Sequence, residues 1–258
     1  NYFQILVDYH LVLIFFVLQI PLIIYGYLNS KNLKIKKIYI NSNLIKKTIK
    51  FVFISDVHIG SNHPSSLKKL ILKINYLDFS FLVIGGDLID SSSFKIHDLE
   101  EFKKINKPIF FVTGNHEYYI KNYEKHLQDL YKVGIQIIDN DSLLIDNLNL
   151  IGLSDNISNK SKIEHVKKLS RDNLFNLLIV HKPSIWRNVA DNANLMLSGH
   201  THNGQIFPFN FIVKLQFPQN YGLYKKINNF LYVSSGSATW GPKIRIGSNN
   251  EIILFELN

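Results

Sequence analysis

The 258-residue chain contains no cysteine. That absence excludes a disulfide framework and any thiolate metal site, and it leaves the redox compartment open. Charge is scarce, at 19% of residues against a hydrophobic fraction of 46%, which marks a globular chain with an apolar bias. Acid is nearly missing from residues 1–50, where Asp8 stands alone against Lys31, Lys34, Lys36, Lys37, Lys46, Lys47 and Lys50. Seven cations less one anion give +6 there, which leaves +3 of the overall +9 for the other 208 residues. The basicity is local, so a nucleic-acid-binding face on the main domain is not indicated and no nucleic-acid partner is expected. Internal repeats and low-complexity tracts are missing as well.

Lys and Arg are also absent ahead of the longest apolar run, Ile5 to Leu28, which is interrupted only by Asp8, His10, Gln19, Pro21 and Gly26. As a helix it would be roughly 36 Å long, enough to cross a bilayer core of about 30 Å. A buried core helix is one reading. A helix apolar on every side, at a chain end and followed by lysines, fits a membrane anchor better. Pro21 could kink it without disqualifying it, and a signal peptide would need the charged n-region that is missing. The positive-inside rule then puts the following domain on the cytoplasmic side, with the lysines at an anionic leaflet and membrane lipid as a partner. The chain begins with Asn, as a trimmed fragment would, and upstream segments would alter that topology. The expected organisation is an anchor over 1–30, a basic juxtamembrane connector over 31–50 with a short strand at Ile35–Ile40, and a catalytic domain over 51–258.

From residue 51 a rhythm begins. Phe51–Ile54 runs into Ser55-Asp56-Val57-His58, Phe81–Ile84 into Gly85-Gly86-Asp87, and Ile109–Val112 into Thr113-Gly114-Asn115-His116-Glu117. Leu177–Val180 runs into His181, and Leu195–Leu197 into Ser198-Gly199-His200-Thr201-His202-Asn203-Gly204-Gln205. Each run is short and rich in Val, Ile, Leu or Phe, which reads as a buried strand. Helix-like segments lie between them at Ser65–Asn75, Ile96–Asn106, Lys121–Val133 and about Ile163–Leu169. Apolar strands alternating with helices indicate an α/β domain. The later strands Phe230–Val233 and Ile252–Phe255 have little helix between them, which predicts a mixed rather than purely parallel sheet.

Five strand ends thus carry two carboxylates, one amide and several imidazoles. In open α/β sheets ligands gather at the carboxyl ends of strands, so these side chains can converge. Alone, a His-x-His pair is often just two surface histidines; here it is the last of five such ends. Oxygen and nitrogen donors without sulfur suit Mn, Fe, Zn or Co. Seven donors are too many for one tetrahedral ion and suit two ions sharing a carboxylate, which can activate water and clamp the oxygens of a displacement at phosphorus.

The order and spacing of these motifs over residues 50–258 resemble the calcineurin-like metallophosphoesterase superfamily. That resemblance implies a four-layer α/β/β/α sandwich of two mixed sheets, here preceded by the hydrophobic helix. It also implies two divalent metal ions, manganese first among the candidates. Asp56, His58, Asp87 and His202 would hold one ion, Asp87 would bridge, and Asn115, His181 and His200 would complete the other. His116 would be the catalytic histidine that donates a hydrogen bond to the phosphoryl or leaving-group oxygen. Gly-Asn-His-Glu-Tyr-Tyr, Ser-Gly-His-Thr-His-Asn-Gly-Gln and Thr239-Trp240-Gly241-Pro242 with Arg245 are similar to the bacterial YaeI/YkuE-type phosphodiesterases. Asn203 departs from the Gly usual there, which could narrow the pocket but removes no donor.

Other residues carry competing readings. Arg245 is a candidate phosphate contact or a structural arginine. His63, in a turn-rich loop, is a candidate substrate contact or a solvated side chain. Asp90 could support the site from behind or cap a helix, and Asp155 reads as a turn residue. Tyr118, Tyr119, Tyr221 and Tyr224 line the cleft or simply pack. His97, His126 and His165 read as solvated. The expected activity is hydrolysis of a phosphodiester or pyrophosphate bond in a phosphorylated small-molecule or lipid-linked substrate. The alternatives are a phosphomonoesterase on the same site and a non-catalytic binding module.

Overall fold

The computed structural model describes residues 9–258. The start of the apolar run, residues 5–8, lies outside the described residues. The helix α1 (Tyr9–Ser30) leads into β1 (Leu33–Ile40), β2 (Ile49–Ile54), α2 (Ser65–Asn75), β3 (Phe81–Gly85), β4 (Ile109–Val112), α3 (Tyr123–Leu130) and β5 (Ile135–Ile137). Then come β6 (Asp141–Ile145), β7 (Leu148–Leu153), α4 (Asn159–Leu169), β8 (Phe175–Val180), α5 (Trp186–Val189) and β9 (Leu195–Ser198). The chain closes with α6 (Phe209–Gln216), β10 (Gly222–Lys226), β11 (Asn229–Val233) and β12 (Asn250–Leu257).

Two six-stranded sheets result, in the orders β1-β12-β2-β3-β4-β5 and β10-β11-β9-β8-β7-β6. Both are mixed. In the first only the β12–β2 pairing is antiparallel, and in the second the antiparallel pairs are β10–β11 and β6–β7 at the edges. Alternation within β2 shows why the sheets stack. Phe51 and Phe53 point between the sheets to meet Leu177, Leu195 and Leu197, while Val52 and Ile54 point outward onto Leu67, Leu70, Ile71 and Ile74 of α2. The outer face of the second sheet is covered by α4 and α5 through Val166, Trp186 and Val189. Helices on both outer faces complete the four layers that the family resemblance implies.

The helix expected at Ser65–Asn75 is α2 to the residue. The segment at Ile96–Asn106 is a 3₁₀ helix over Ile96–Lys104. The expected strand at Ile35–Ile40 begins at Leu33 and pairs in parallel with β12, so the basic connector contributes an edge strand to the first sheet.

Most of α1 stands clear of the domain, and only its C-terminal end is docked. Arg245 donates its backbone N–H to the Gly26 carbonyl at 2.9 Å, and the Asn29 amide donates to the carbonyls of Arg245 and Ser248. Any side chain at Gly26 would begin 2.6 Å from Ile244, so this contact requires glycine.

Candidate metal centre

The parallel strands β2, β3 and β4 and their counterparts β8 and β9 end at the same edge of the sandwich. The loops beyond them are stitched together by backbone bonds. Asp56 N–H donates to Gly86 O and His58 N–H to Asp87 O, each at 3.0 Å, and Gly199 N–H donates to His181 O at 2.9 Å. The two sheets are tied across this edge by His200 N–H donating to Asp56 Oδ1 at 3.0 Å. A side chain at Gly199 would begin 2.3 Å from Asp56 Oδ2, so the approach of these loops depends on that glycine.

Five residues of the expected set, Asp56, His58, Asp87, His200 and His202, have positive φ between 49° and 70°. Such left-handed backbone costs on the order of 1 kcal/mol per residue and persists where surrounding structure enforces it. Its effect is to turn consecutive donors inward. Asp56, His58 and His202 bring their ligating atoms together in one group, and Asp87, His181 and His200 in another. The Nε2 atoms of His58 and His202 lie 3.2 Å apart, a spacing suited to two imidazoles reaching one cation at about 2.1 Å each. Asp87 Oδ2 lies 3.0 Å from His181 Nε2 and 3.9 Å from His58 Nε2, between the two groups. Asn115 Oδ1 is buried without a hydrogen-bond partner, as a metal-ligating oxygen would be. The donor set fits two divalent ions.

Outer partners fix the rings. Asp90 Oδ2 lies 3.1 Å from His58 Nδ1, and the Gly85 carbonyl 2.8 Å from His181 Nδ1, so each Nε2 faces the centre. Asp90 therefore supports the site from behind, and no helix begins at it. Burial lowers His200 and His202 to about 3, which keeps both neutral with free lone pairs. Burial pulls His181 down too, but the Asp87 carboxylate overrides it and raises the ring to about 10. His58 is likewise raised, Asp90 and Asp87 outweighing burial. His116 is lowered, chiefly by burial. Its ring meets His58 edge-on at 4.8 Å, and its outer sides face Tyr119 and Trp240 at the solvent boundary.

Of the two candidate substrate contacts, the structure decides one, giving Arg245 its structural reading. Arg245 has no exposed surface. Its guanidinium donates to the backbone carbonyls of His202, Ser235 and Ala238 and lies 3.4 Å from His202 Nδ1, so it braces a candidate ligand and cannot reach a phosphate. His63 belongs to neither donor group; its Nδ1 accepts from Ser65 N–H at 3.2 Å. It lines a separate cavity of about 310 Å³ between the end of α1 and α2, with Lys31, Lys69 and Lys243. Asp155 is no simple turn residue, since it pairs with Lys162 and Lys182. Among the tyrosines, Tyr119 is exposed beside His116, whereas the Tyr118 hydroxyl bonds Thr113 and Ser154 and Tyr221 donates to Glu251.

Glu117 was missed by sequence reasoning. It is fully buried and accepts from the backbone N–H groups of Asp87, Leu88, Ile89 and Gly114, locking two ligand loops together. Burial and the charge of Asp87 raise its pKa, opposed by those N–H groups. A carboxylate directly after Asn115-His116 was its only signal. Asn203, where the resembling proteins carry Gly, has φ 51° and ψ 36°. Asn tolerates that left-handed backbone, and its side-chain oxygen accepts from Asn220 at 3.4 Å.

A match to the calcineurin-like phosphoesterase family covers residues 49–204, more than half of the chain. The chain belongs to that family. An uncharacterized metallophosphoesterase of Campylobacter jejuni is 34% identical over 254 residues, covering 91% of this chain and 66% of its own. One from Helicobacter pylori is 32% identical, covering 87% and 64%. A bovine protein described as a transmembrane protein with a metallophosphoesterase domain is 30% identical, covering 80% and 52%. The chain thus spans just under two-thirds of the length of the Campylobacter and Helicobacter relatives named above. The family is one of metal-dependent phosphoric ester hydrolases that use two metal ions.

Proposed function

We propose that this chain hydrolyses a phosphodiester or pyrophosphate bond in a membrane- or envelope-related substrate, with two divalent ions, manganese foremost. The observation that carries the reading is the placement of Asp87 between two groups of buried donors. Asp56, His58 and His202 would hold one ion, His181, His200 and Asn115 the other, and Asp87 both. When bound, the pair would supply water activation and Lewis-acid polarisation of the phosphoryl group.

The chain's own groups then have defined tasks. His116, slightly exposed to solvent and lowered by burial, donates from its ring N–H to the phosphoryl or leaving-group oxygen. Trp240 and Tyr119 flank that ring and limit access to it. Gln205 fixes the Trp240 loop by donating to the Trp240 and Pro242 carbonyls and accepting from Trp240 N–H. Asp90, Gly85 and Arg245 hold the imidazoles in register.

A membrane-related substrate is supported by α1, whose Val12–Ser30 stretch is long and apolar enough to span a bilayer. The cavity with Lys31, Lys69 and Lys243 at its end supports an anionic, lipid-linked substrate. On this reading residues 1–30 are the anchor, 31–50 a basic juxtamembrane segment that also supplies the edge strand β1, and 51–258 the rest of the catalytic domain, on the cytoplasmic side where the lysines lie. The finer likeness is to the YaeI/YkuE-type phosphodiesterases.

The full chain, purified in detergent with Mn²⁺, should cleave bis(4-nitrophenyl) phosphate faster than 4-nitrophenyl phosphate. Asp87→Ala and His200→Ala should each abolish cleavage. Activity surviving both substitutions removes the metal-centred reading, and a reversed substrate ratio makes the protein a phosphomonoesterase.

A further inference from the structure

The helix α6 buries none of its residues, although Phe209-Asn210-Phe211-Ile212-Val213-Lys214-Leu215-Gln216 is mostly apolar. Phe207, Phe209, Phe211, Ile212 and Leu215 are all exposed, Leu215 to 86%. Lys214 is its only charge. A short helix with this composition on the surface of a globular domain needs an apolar partner.

Two observations say which partner. The first is continuity with α1. Phe207 donates its N–H to the Ile246 carbonyl at 2.8 Å, while Arg245, one residue earlier, donates to Gly26 of α1. Ile244 and Ile246 are the side chains against which Gly26 packs. The segment 244–246 is thus held by the apolar helix on one side and by the lead into α6 on the other. The partly exposed Ile244 and Ile246 link the two exposed apolar helices. The second observation is the connection to the candidate metal centre. Phe217, which caps α6, meets the His200 ring edge-on at 5.2 Å, and the helix begins four residues after Gln205, on the loop that carries His200 and His202.

We infer that α6 is an interfacial helix that lies in the headgroup region of a lipid bilayer and seats the mouth of the metal centre against the membrane surface. Helices of this kind bury one apolar face at the headgroup boundary. The inference rests on the reading of α1 as a membrane-spanning helix. It adds a second contact, so that the domain does not swing freely on its anchor. A substrate diester in the bilayer surface would then meet the donors without leaving the membrane.

The absence of cysteine makes a direct test simple. Leu215→Cys, Leu18→Cys and Tyr76→Cys are each made in the full chain, labelled with an environment-sensitive fluorophore, and placed in nanodiscs of phosphatidylethanolamine and phosphatidylglycerol. All three positions are exposed, Tyr76 to 87% on the far end of α2, so labelling disturbs no packing. Spin-labelled lipid should remove most of the emission at positions 18 and 215 and leave position 76 unchanged. Iodide in the water should do the reverse. Quenching at 18 with position 215 behaving like 76 overturns the interfacial helix and leaves the anchor standing. No lipid quenching at 18 overturns both. Protection of 215 from iodide without lipid quenching, together with cross-linking between copies, assigns the face to self-association and also overturns the inference.

Discussion

His116 is the one histidine at the centre of the site that is left outside the two proposed sets of ligands. It is lowered by burial and edge-on to His58. A group that donates a hydrogen bond in the transition state typically contributes a factor of about 10²–10⁴. His116→Ala should therefore lower kcat by that order while metal content, measured by elemental analysis, stays at the wild-type level. Loss of metal along with activity would make it a ligand instead. Glu117 acts differently. Its two oxygens accept from four backbone N–H groups in two loops, and Glu117→Gln would turn an amide N–H₂ toward some of them. Leaving such donors unpaired costs roughly 1–3 kcal/mol, which urea denaturation should detect. A variant as stable as the parent would mean that the loops hold themselves.

At the level of elements, the site depends on two sheets kept in register, since donors from each must meet within a few ångströms. Phe51 is central to that packing. Its ring stacks on Phe81 at 5.1 Å and on Phe255 at 5.0 Å, joining β2 to both neighbours between the sheets. Phe51→Ala should cost about 3–5 kcal/mol, as truncation of a fully buried aromatic does. A loss under about 1 kcal/mol would show that the sheets can repack around the cavity. The β1 edge strand has a related role. Its parallel pairing with β12 over the whole of Leu33–Ile40 ties the chain that follows α1 into the sheet.

For the whole molecule, the charges at the centre set how metal and protons compete. His181 is raised to about 10, so in the metal-free protein it carries a proton at neutral pH. A ligand imidazole must be neutral, so cation uptake has to expel that proton. Calorimetric titration of metal into the metal-free full chain should show proton release, as a heat that depends on the buffer's ionisation enthalpy. Apparent affinity should rise with pH, by about tenfold per unit for each proton displaced. His200 and His202, lowered to about 3, should add nothing to this dependence above about pH 5. Proton-independent binding would contradict the charge state assigned to His181.

The residues from Asp56 to His202 were legible in one dimension because a buried strand must end, and the positions just past its end are free to carry donors. Apolar runs of strand length indicated the α/β class, while the four-layer sandwich and the roles of the individual donors were implied by the resemblance that the motifs at five such ends carry. The sequence also determined α1, since an unbroken apolar run of that length has few alternatives. Direction and depth were decided only by the tertiary structure. Arg245 is open to two readings in the chain but is enclosed by carbonyls in the fold, because the β11–β12 loop that contains it curls so that Ser235 and Ala238, with His202 from beyond β9, face its guanidinium. Glu117 looks like a loop acid and becomes the pin of two loops. The short helix α6 escaped notice because apolar residues read from sequence imply burial, and only packing shows which of them the fold leaves outside. Strand period and spacing are local properties, whereas burial is a property of the assembled layers.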